Sequence, residues 1–287
     1  MTAARFTLSA FADEVGRDFD AQLTLLRELR VGYIDFRSAW GVNVKDLDDG
    51  QLAQAKALLA KHGMKVACIG SPVGKSPIDD PIAHELDVLR RLFAVGEALD
   101  THRIRIFSFY PPDTSTNAHY DQYVAAATDR LAQMAELAGR AGFVLLHENE
   151  KAIVGDTPQR CRALLEGVNS PHLRAIWDAA NYVQVGVRQP MTAGWPLVGD
   201  YVTYIHVKDA LAADGRVTAA GEGDGQLAEL LTALMARGYQ GFLALEPHLA
   251  VAGQSGGFSG PEGMRHAVNA LRRLMAQVGA AEVPAFA

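Results

Sequence analysis

The sequence predicts a closed (β/α)₈ barrel, and three observations support this fold class. Short apolar runs typical of β-strands alternate with helical patterns from one end of the chain to the other. The strand candidates are rich in Val, Ile, Phe and Leu, as expected of parallel strands that are buried on both faces. The chain has 287 residues, a normal length for such a barrel, so we expect a single domain over residues 1–287.

The strand and helix candidates follow one another along the chain without an extended linker. The strand candidates are 5–10, 32–37, 65–70, 103–110, 143–149, 173–178, 202–208 and 241–246. The helical candidates are 19–29, 52–61, 81–99, 120–141, 157–166, a weak one at 190–199, 227–236 and 261–276. Glycines fall where a helix ends and a strand begins, at Gly32, Gly63, Gly142, Gly238 and Gly241.

Local signals support individual helices. Leu23, Leu26 and Leu29 repeat at the spacing of one helix face. Thr157 precedes Pro158, which places a capping residue directly before a proline suited to a first helical turn. These signals predict where the helices begin and which face each one buries.

A doubly wound open sheet is the alternative fold class. It usually carries a glycine-rich dinucleotide-binding turn after the first strand, whereas this chain has Phe-Ala-Asp-Glu-Val-Gly at 11–16. The glycine-rich run at 253–260 is too short to separate two domains. The barrel is therefore favoured.

Composition excludes several classes of protein. Hydrophobic residues make up 49% and charged residues 21%, which supports a large core and argues against global disorder. The net charge of −6 and the lack of a basic run give no support to a nucleic-acid partner. No apolar run reaches the ~20 residues that a membrane span needs, and no signal peptide is evident. Cys68 and Cys161 lie outside any CxxC pattern, so we expect reduced thiols and a cytoplasmic protein.

Four strand candidates end in residues that can bind a metal ion: Glu148, Asp178, His206 and Glu246. They belong to the last four strand candidates, and barrel enzymes place their chemistry at such C-terminal strand ends. A single acid there often caps a helix or pairs with a lysine, but four incidental ones are much less expected. The apolar run before each residue predicts burial, and a buried carboxylate needs a metal, a partner or a proton. Three carboxylates and one imidazole predict one divalent cation, Mn²⁺ first, with Mg²⁺, Co²⁺ or Zn²⁺ as alternatives.

Three further residues are candidates for contact with the substrate. Lys208 shares a strand face with His206, and His248 shares one with Glu246, because side chains repeat every two residues. Arg37 ends the second strand candidate. For each of the three, the alternative is an ion pair or hydrogen bond to a protein group, which for Arg37 would be Asp13 or Glu14.

Other polar positions carry structural predictions. Glu150 shares a face with Glu148, so it is either a supporting base behind the metal ligands or a partner of Lys151, and we favour the structural pair with Lys151. Asp209 points to the opposite face of its strand from Lys208 and is expected to anchor the following loop. The run at 71–76 ends in Gly-Lys-Ser but lacks the earlier glycine of a phosphate-binding loop. We interpret it as the third βα loop, with Lys75 as a weaker candidate for substrate contact.

Several segments carry a family resemblance: Glu-Asn at 148–149, Trp-Asp-Ala-Ala-Asn at 177–181, His-Val-Lys-Asp at 206–209 and Gly-Glu-Gly at 221–223. Through them the chain resembles the xylose isomerase-like TIM barrels, specifically the sugar phosphate isomerase/epimerase group, over nearly its whole length. The resemblance implies that Glu148, Asp178, His206 and Glu246 bind one divalent cation. It also implies that Glu148 and Glu246 act as acid and base. Endonuclease-type relatives have a histidine where this chain has Asn181, which puts a multi-metal nuclease site in doubt.

The predicted function is a metal-dependent isomerase or epimerase acting on a small polyhydroxylated ketone or aldehyde through an enediolate. Glu148 and Glu246 lie at opposite ends of the arc of four strands, so they are expected to address opposite faces of the substrate. The alternative is a dehydratase, a lyase acting on a keto-inositol or 3-dehydroshikimate-like substrate at the same site.

Two other functions are less favoured. A DNA-repair nuclease conflicts with the acidic balance and with Asn181, and a sugar-binding barrel without catalysis would not need two acid–base carboxylates. The sequence leaves open the identity of the substrate, whether it is phosphorylated, and whether the chain forms a homo-oligomer.

Overall fold

The protein is described here by a computed structural model, which covers residues 3–249 and 259–286. Parallel strands form a closed barrel in which each strand pairs with its neighbours in the chain and the last pairs with the first. The barrel strands are β1 (Arg5–Phe11), β2 (Tyr33–Phe36), β3 (Lys65–Ile69), β4 (Arg103–Ile106), β5 (Val144–Glu148), β6 (Leu173–Asp178), β7 (Val202–Val207) and β8 (Gln240–Leu245). The predicted fold class is confirmed. Most of the glycine-rich run at 253–260 lies outside the described residues.

Helices surround the barrel. They are α1 (Phe19–Glu28), α2 (Asp49–His62), α3 (Ile82–Ala98), α4 (Val124–Arg140), α5 (Pro158–Val168), α6 (Ala179–Gln184), α7 (Pro190–Ala193), α8 (Trp195–Val198), α9 (Leu227–Ala236) and α10 (Gly260–Val278). Short 3₁₀ turns lie at Ala12–Glu14, Val44–Asp46, Tyr120–Tyr123 and Gly199–Tyr201. Two small antiparallel pairs join Ser38–Ala39 to Val42–Asn43 and Asp209–Ala210 to Val217–Thr218. Across these ranges, no helix combines the length and apolarity needed to cross a membrane.

The helical connection between β6 and β7 differs from the prediction. The weak candidate at 190–199 consists of two single turns, α7 and α8, because Gly194 separates them and Pro196 stands in the first turn of α8. Helix α6 was not predicted. It starts directly after β6, because the Asp178 side chain accepts a hydrogen bond from the backbone N–H of Asn181 and caps the helix.

Strand β4 is shorter than predicted. The apolar candidate at 103–110 leaves the extended conformation, and Phe109 has a φ of 71°. The backbone of Phe107 and Phe109 instead donates hydrogen bonds to the carbonyls of Val73 and Gly74, at 2.8 Å each. The end of β4 is therefore joined to the third βα loop rather than to a neighbouring strand.

Alternation along the strands fills the barrel interior in layers. One buried apolar layer contains Leu146, Ile176, Tyr204 and Ala244. The positions two residues further along β5 to β8 are those of the predicted metal ligands. The pairing sets Asp178 level with His206, and His206 level with Ala244. The register therefore brings the four polar side chains to one end of the barrel, above an apolar layer.

Candidate metal centre

The C-terminal end of the barrel brings together the four predicted metal ligands, Glu148, Asp178, His206 and Glu246. Each offers one ligand atom, and these atoms all lie within 4.8 Å of one another. Each residue is at most 3% exposed. The predicted arc of consecutive strand ends is thus a compact, buried cluster with three carboxylates and one imidazole.

His206 turns one ring nitrogen toward the acids. Its Nδ1 lies 2.9 Å from Oε1 of Glu148 and 3.5 Å from Oε2 of Glu246. Its Nε2 faces Oδ2 of Asp35 at 4.0 Å and has no hydrogen-bond partner within the described ranges. Nδ1 is therefore the nitrogen placed to bind a metal together with the carboxylates.

Two asparagines hold the ligand-bearing segments of β5 and β6 together. Asn149 accepts a hydrogen bond from the Asp178 backbone N–H at 3.0 Å and donates one to the Asp178 carbonyl at 2.9 Å. Asn181 donates from its side chain to the Asn149 carbonyl at 2.8 Å and to Oε1 of Glu148 at 3.3 Å. These amide contacts fix the Asp178 backbone relative to β5 and orient the Glu148 carboxylate.

Asp178 supplies the clearest sign that the cluster suits a metal ion. Its Oδ1 accepts the helix-capping hydrogen bond from Asn181, but its buried Oδ2 has no hydrogen-bond partner among residues 3–249 and 259–286. Lys208 Nζ is 3.0 Å from this oxygen, although the two groups are not aligned for a hydrogen bond. A buried carboxylate oxygen that accepts no hydrogen bond destabilises the folded protein. An oxygen-rich set with one imidazole and one carboxylate oxygen that accepts no hydrogen bond fits a divalent cation.

Two protein cations also contact the cluster. Lys208 Nζ lies 3.4 Å from Oε2 of Glu246, in addition to its contact with Asp178. Arg105 Nη1 lies 3.2 Å from Oε2 of Glu148 and 3.4 Å from Oε1 of Glu246. Lys208 was predicted as a substrate-contacting residue or an ion-pair partner, and the structure shows the ion pair. Together these cations offset part of the negative charge of the three acids.

Arg105 was not predicted. It is only 5% exposed, and its Nη2 and Nε donate to the carbonyls of Gly70 (3.2 Å) and Ser71 (3.3 Å). The signal in the sequence was an arginine inside an apolar strand, Arg-Ile-Arg-Ile at 103–106. An arginine at such a position is buried only when it is paired, so the strand pattern indicated an inward-facing charge.

The contacts within the cluster shift pKa values in different directions. Burial alone would lower the pKa of His206, but the charge and hydrogen bond of Glu148 outweigh it and raise that pKa to about 10. Burial alone would raise the pKa of Glu148, yet the positive charge of His206 brings it down to about 2. Burial raises the pKa of Asp178 to about 6 despite the opposing charge of Lys208. Asp178 is thus the acid whose charge is least well compensated by the protein.

A second hydrogen-bonded group lies deeper in the barrel, on the other side of His206. Ser9 Oγ and Tyr204 Oη both donate to Oδ1 of Asp35, at 2.6 Å and 2.7 Å. Burial raises the pKa of Asp35, and the positive charge of His206 opposes that rise. The sequence did not indicate this group, because its members come from three strands that meet only through the barrel register. Its position makes Asp35 the acceptor that faces His206 Nε2.

Arg37 and His248, two predicted substrate contacts, lie at the edge of the cluster. Arg37 donates to Asp13 (2.7 Å), Glu14 (2.8 Å) and Glu246 (2.9 Å), so the alternative partners predicted for it are both present. His248 Nε2 is 3.2 Å from Oε1 of Glu14 and 3.5 Å from Oε1 of Glu246. The two side chains are 19% and 32% exposed. Both are more exposed than the four candidate ligands.

Glu246 is the most heavily contacted carboxylate of the cluster. Burial alone would raise its pKa, but the charges of Lys208 and His248 and the hydrogen bond with His206 place it well below its usual range. A carboxylate of this kind is fully ionised at neutral pH. Its negative charge suits it to bind a metal ion, whereas the lowered pKa makes it a weak proton acceptor while these contacts are in place.

Asp209 anchors the loop after β7, as predicted. Its carboxylate accepts backbone hydrogen bonds from Gly221 (3.1 Å), Gly223 (3.1 Å) and Gly225 (2.8 Å). A Cβ at Gly223 would lie 2.5 Å from Oδ1 of Asp209, so this close approach requires glycine. The glycine-rich loop is thus fixed just beyond the C-terminal end of β7, the strand that carries His206.

The predicted partner of Glu150 was wrong. Its carboxylate pairs with Lys75 Nζ at 3.2 Å, and Lys151 contributes only its backbone N–H, at 3.0 Å. The reason is the joining of the third βα loop to the end of β4, which brings Lys75 across the barrel mouth toward β5. This pairing relates two loops that are far apart in sequence.

A large groove lies beside the cluster rather than over it. Its volume is about 1020 Å³, and its lining includes Val183, Arg188, Asp224, Gln226 and Leu274. The groove runs along helices α6, α9 and α10, and its lining contains Asp209 but not the four candidate ligands. The size of the groove therefore says nothing about the chemistry at the barrel mouth.

Comparisons with known proteins give a family and a set of similar folds. A family model described as "Xylose isomerase-like TIM barrel" matches residues 23–274. No curated protein matches the chain.

Three solved structures with the same fold are informative. A D-psicose 3-epimerase with D-tagatose from Clostridium cellulolyticum H10 is 16% identical, with a TM-score of 0.72 over 95% of this chain and 99% of that one. A probable 3-DHS dehydratase from Bacillus anthracis is 15% identical, with a TM-score of 0.71 over 93% and 98%. A xylose isomerase-like TIM barrel protein from Mycobacterium smegmatis, in complex with magnesium, is 16% identical, with a TM-score of 0.67 over 95% and 98%. At these identities the likeness establishes the fold.

Proposed function

Because this chain belongs to the xylose isomerase-like TIM barrel family, we propose that it is a divalent-metal-dependent isomerase or epimerase of a small sugar or another polyhydroxylated ketone or aldehyde. The observation that carries the proposal is the buried cluster of Glu148, Asp178, His206 and Glu246, whose ligand atoms lie within 4.8 Å of one another. Enzymes of this fold place their chemistry at the end of the barrel where the cluster lies.

The four side chains would hold one divalent ion. Mn²⁺ is the first choice for three carboxylates and one imidazole, and Mg²⁺, Co²⁺ and Zn²⁺ are alternatives. When bound, the ion supplies positive charge that polarises a substrate carbonyl and favours the adjacent anionic oxygens. The orientation of His206, with Nδ1 toward the acids and Nε2 toward Asp35, supports its role as a ligand.

Glu148 and Glu246 are the proposed acid–base pair. They belong to the first and last of four consecutive strands, and Arg105 Nη1 contacts both carboxylates. Arg105 therefore holds the two ionised groups at a fixed spacing. One carboxylate would remove the proton from the carbon next to the carbonyl. That carboxylate would return the proton to the neighbouring carbon in an isomerisation. In an epimerisation the other carboxyl group, protonated beforehand from water, would deliver its own proton to the opposite face of the same carbon.

A lyase is the second candidate function. The same proton removal, followed by departure of a hydroxyl group from the next carbon, gives dehydration in place of isomerisation. A probable 3-DHS dehydratase has the same fold. Dehydration would use the same residues as isomerisation. The mass of the product, which is lower by one water after dehydration, therefore separates the two functions.

The test is hydrogen exchange in D₂O. Protein loaded with Mn²⁺ would be incubated with D-tagatose, D-psicose and D-fructose, and the products analysed by NMR and mass spectrometry. We expect deuterium at a carbon next to the carbonyl, without loss of water, and no exchange after the metal is removed. Loss of one water would instead identify a lyase. The proposal would be contradicted if none of the three sugars showed deuterium exchange or loss of water, or if activity were the same without metal.

The proposed base is tested in the same assay. Glu246→Gln keeps the size of the side chain but removes its basicity, so exchange should fall at least about 100-fold, the lower range for loss of a general base. Lys151→Met, at an exposed lysine outside the cluster, is the matched control and should retain wild-type exchange. Near-normal exchange in Glu246→Gln would remove Glu246 from the proposed role.

A further inference from the structure

A second polar group lies at the barrel mouth, outside the candidate metal ligands. It consists of Lys75 on the third βα loop and Glu150 just after β5, with Lys75 Nζ 3.2 Å from Oε2 of Glu150. Their side chains are 32% and 17% exposed, in contrast to the buried ligands. This pair, called the rim pair below, therefore lies where a molecule entering the barrel would meet it.

The backbone around Lys75 is fixed by close packing. Gly74 has a φ of 82°, and a Cβ on it would lie 2.2 Å from the carbonyl oxygen of Phe107. Besides the two hydrogen bonds from Phe107 and Phe109, the backbone N–H of Tyr110 donates to Ser76 at 2.9 Å. The loop that carries Lys75 is thus held against the segment at 107–110 and presents a positioned ammonium group.

The rim pair is connected to the candidate metal centre through one aromatic ring. Lys75 Nζ lies 4.2 Å from the centre of the Phe107 ring, and Arg105 Cζ lies 5.0 Å from the same centre. Arg105 in turn contacts Glu148 and Glu246. Lys75 therefore lies on the side of the cluster where Arg105 contacts Glu148 and Glu246.

Lys75 contacts fewer carboxylates than the other cations of the site. Arg37 contacts three carboxylates, and Arg105 and Lys208 contact two each. Within the part of the chain that the structure describes, Lys75 contacts one carboxylate, that of Glu150. A partly exposed pair of this kind is held together weakly, so a ligand can share its donors and acceptors at little cost.

The chemistry of the rim pair favours an uncharged ligand. An ammonium group offers three donors, and a carboxylate offers several acceptor positions, which together match neighbouring hydroxyl groups. Tyr110 is close enough to Glu150 that burial and the negative charge of this carboxylate raise the pKa of its hydroxyl, and a tyrosine hydroxyl is a hydrogen-bond donor at neutral pH in any case. A phosphate or carboxylate on the substrate would instead lie next to the charge of Glu150, at a repulsive contact.

We propose that Lys75 and Glu150 form the subsite for the hydroxyl-bearing end of the substrate that is remote from the metal ligands. The substrate is then an unphosphorylated polyhydroxylated ketone or aldehyde rather than a sugar phosphate. The inference rests on the proposed function for the placement of the reacting end, but the subsite itself can be tested by binding alone.

The experiment compares D-tagatose with D-tagatose 6-phosphate, by ligand-detected NMR titration of the Mg²⁺-loaded full chain. Wild-type protein should bind the free sugar at least tenfold more tightly than the phosphate ester. Lys75→Met should weaken binding of the free sugar about tenfold. Glu150→Gln should narrow the preference over the phosphate ester to threefold or less, because the repulsive charge is gone. Lys151→Met should match wild type in both titrations.

Deuterium exchange in D₂O, measured on matched samples loaded with Mn²⁺, separates the two proposals. The expected binding pattern without exchange would leave the subsite standing and reject the isomerase. Exchange of the free sugar in wild type, together with unaltered binding in both rim-pair variants, would reject the subsite alone. Equal or tighter binding of the phosphate ester by wild type, or no binding of either sugar, would overturn the subsite.

Discussion

Individual side chains at the barrel mouth neutralise one another. Lys208 and Arg105 contact the three acids of the cluster, and His206 contacts two of them. Buried carboxylates need such partners, and removing one partner of a buried ion pair is strongly destabilising. Lys208 therefore has a structural role in the metal-free protein, and it would compete with a bound cation for Asp178 and Glu246.

Removing the ammonium group of Lys208 tests this role. Lys208→Met should lower the stability of the metal-free protein by about 3–5 kcal/mol, as for other broken buried pairs. Ligands that bind the folded state stabilise it. Because the variant lacks the competing ammonium group, Mn²⁺ should raise its unfolding temperature more than that of wild type. The measurement is thermal unfolding with and without Mn²⁺. An unchanged metal-free stability, with the same response to Mn²⁺ as wild type, would contradict the role.

Asp35 is expected to support the metal through His206. Its Oδ2 faces Nε2 of the imidazole at 4.0 Å, and outer-shell partners of histidine ligands typically change metal affinity by about 10–100-fold. Asp35→Ala should therefore weaken Mn²⁺ binding by that range, as measured by isothermal titration calorimetry. Ser9→Ala, which leaves the Asp35 carboxylate in place, is the control and should bind Mn²⁺ nearly as wild type. If Asp35→Ala bound Mn²⁺ as tightly as Ser9→Ala, Asp35 would have no effect on metal binding.

The sequence was informative about strand ends and uninformative about the barrel interior. Glu148, Asp178, His206 and Glu246 each follow an apolar run, so their position at the mouth could be predicted from local patterns alone. Asp35 and Arg105 join the site because the register of distant strands directs them inward. Local patterns do not contain that register.

At the scale of elements, most helices followed their predicted bounds because amphipathic spacing and capping residues are local signals. The α6–α8 connection did not, since two prolines and Gly194 divide it into short turns. The shortened β4 was missed for a similar reason. Its apolar composition indicates burial, whereas the positive φ of Phe109 depends on packing against the third βα loop.

Gly74 provides a test of that packing. Gly74→Ala should destabilise the protein by about 1–3 kcal/mol, because the added Cβ would lie 2.2 Å from the Phe107 carbonyl oxygen. Gly142→Ala is the matched control, since Gly142 has a similar φ of 76° but no atom within 4 Å of the position that its added methyl group would take. Urea denaturation should therefore show a smaller loss for Gly142→Ala. Equal losses would indicate that the loop moves away from the end of β4 without cost.

At the scale of the whole molecule, the closed barrel buries both cysteines. Cys68 lies in the apolar layer of the barrel interior, and Cys161 lies on α5 against the barrel. Burial raises the pKa of the Cys161 thiol to about 12 and that of Cys68 well above its usual range. Thiols that are protonated and buried react slowly.

Thiol labelling therefore reports on barrel closure. Native protein should react negligibly with Ellman's reagent at neutral pH, and both thiols should react after denaturation in guanidinium chloride. Absorbance of the released thionitrobenzoate measures the number of reacted groups. Rapid reaction of either thiol in the native protein would show that the barrel opens more readily than its packing implies.

The central claim is that one divalent cation binds where β5 to β8 end. The most direct test is anomalous scattering at the manganese absorption edge, from crystals of the protein soaked in Mn²⁺. We predict one strong peak within bonding distance of Glu148, Asp178, His206 and Glu246. A map without a peak among these four side chains, or with manganese bound only elsewhere, would contradict the account.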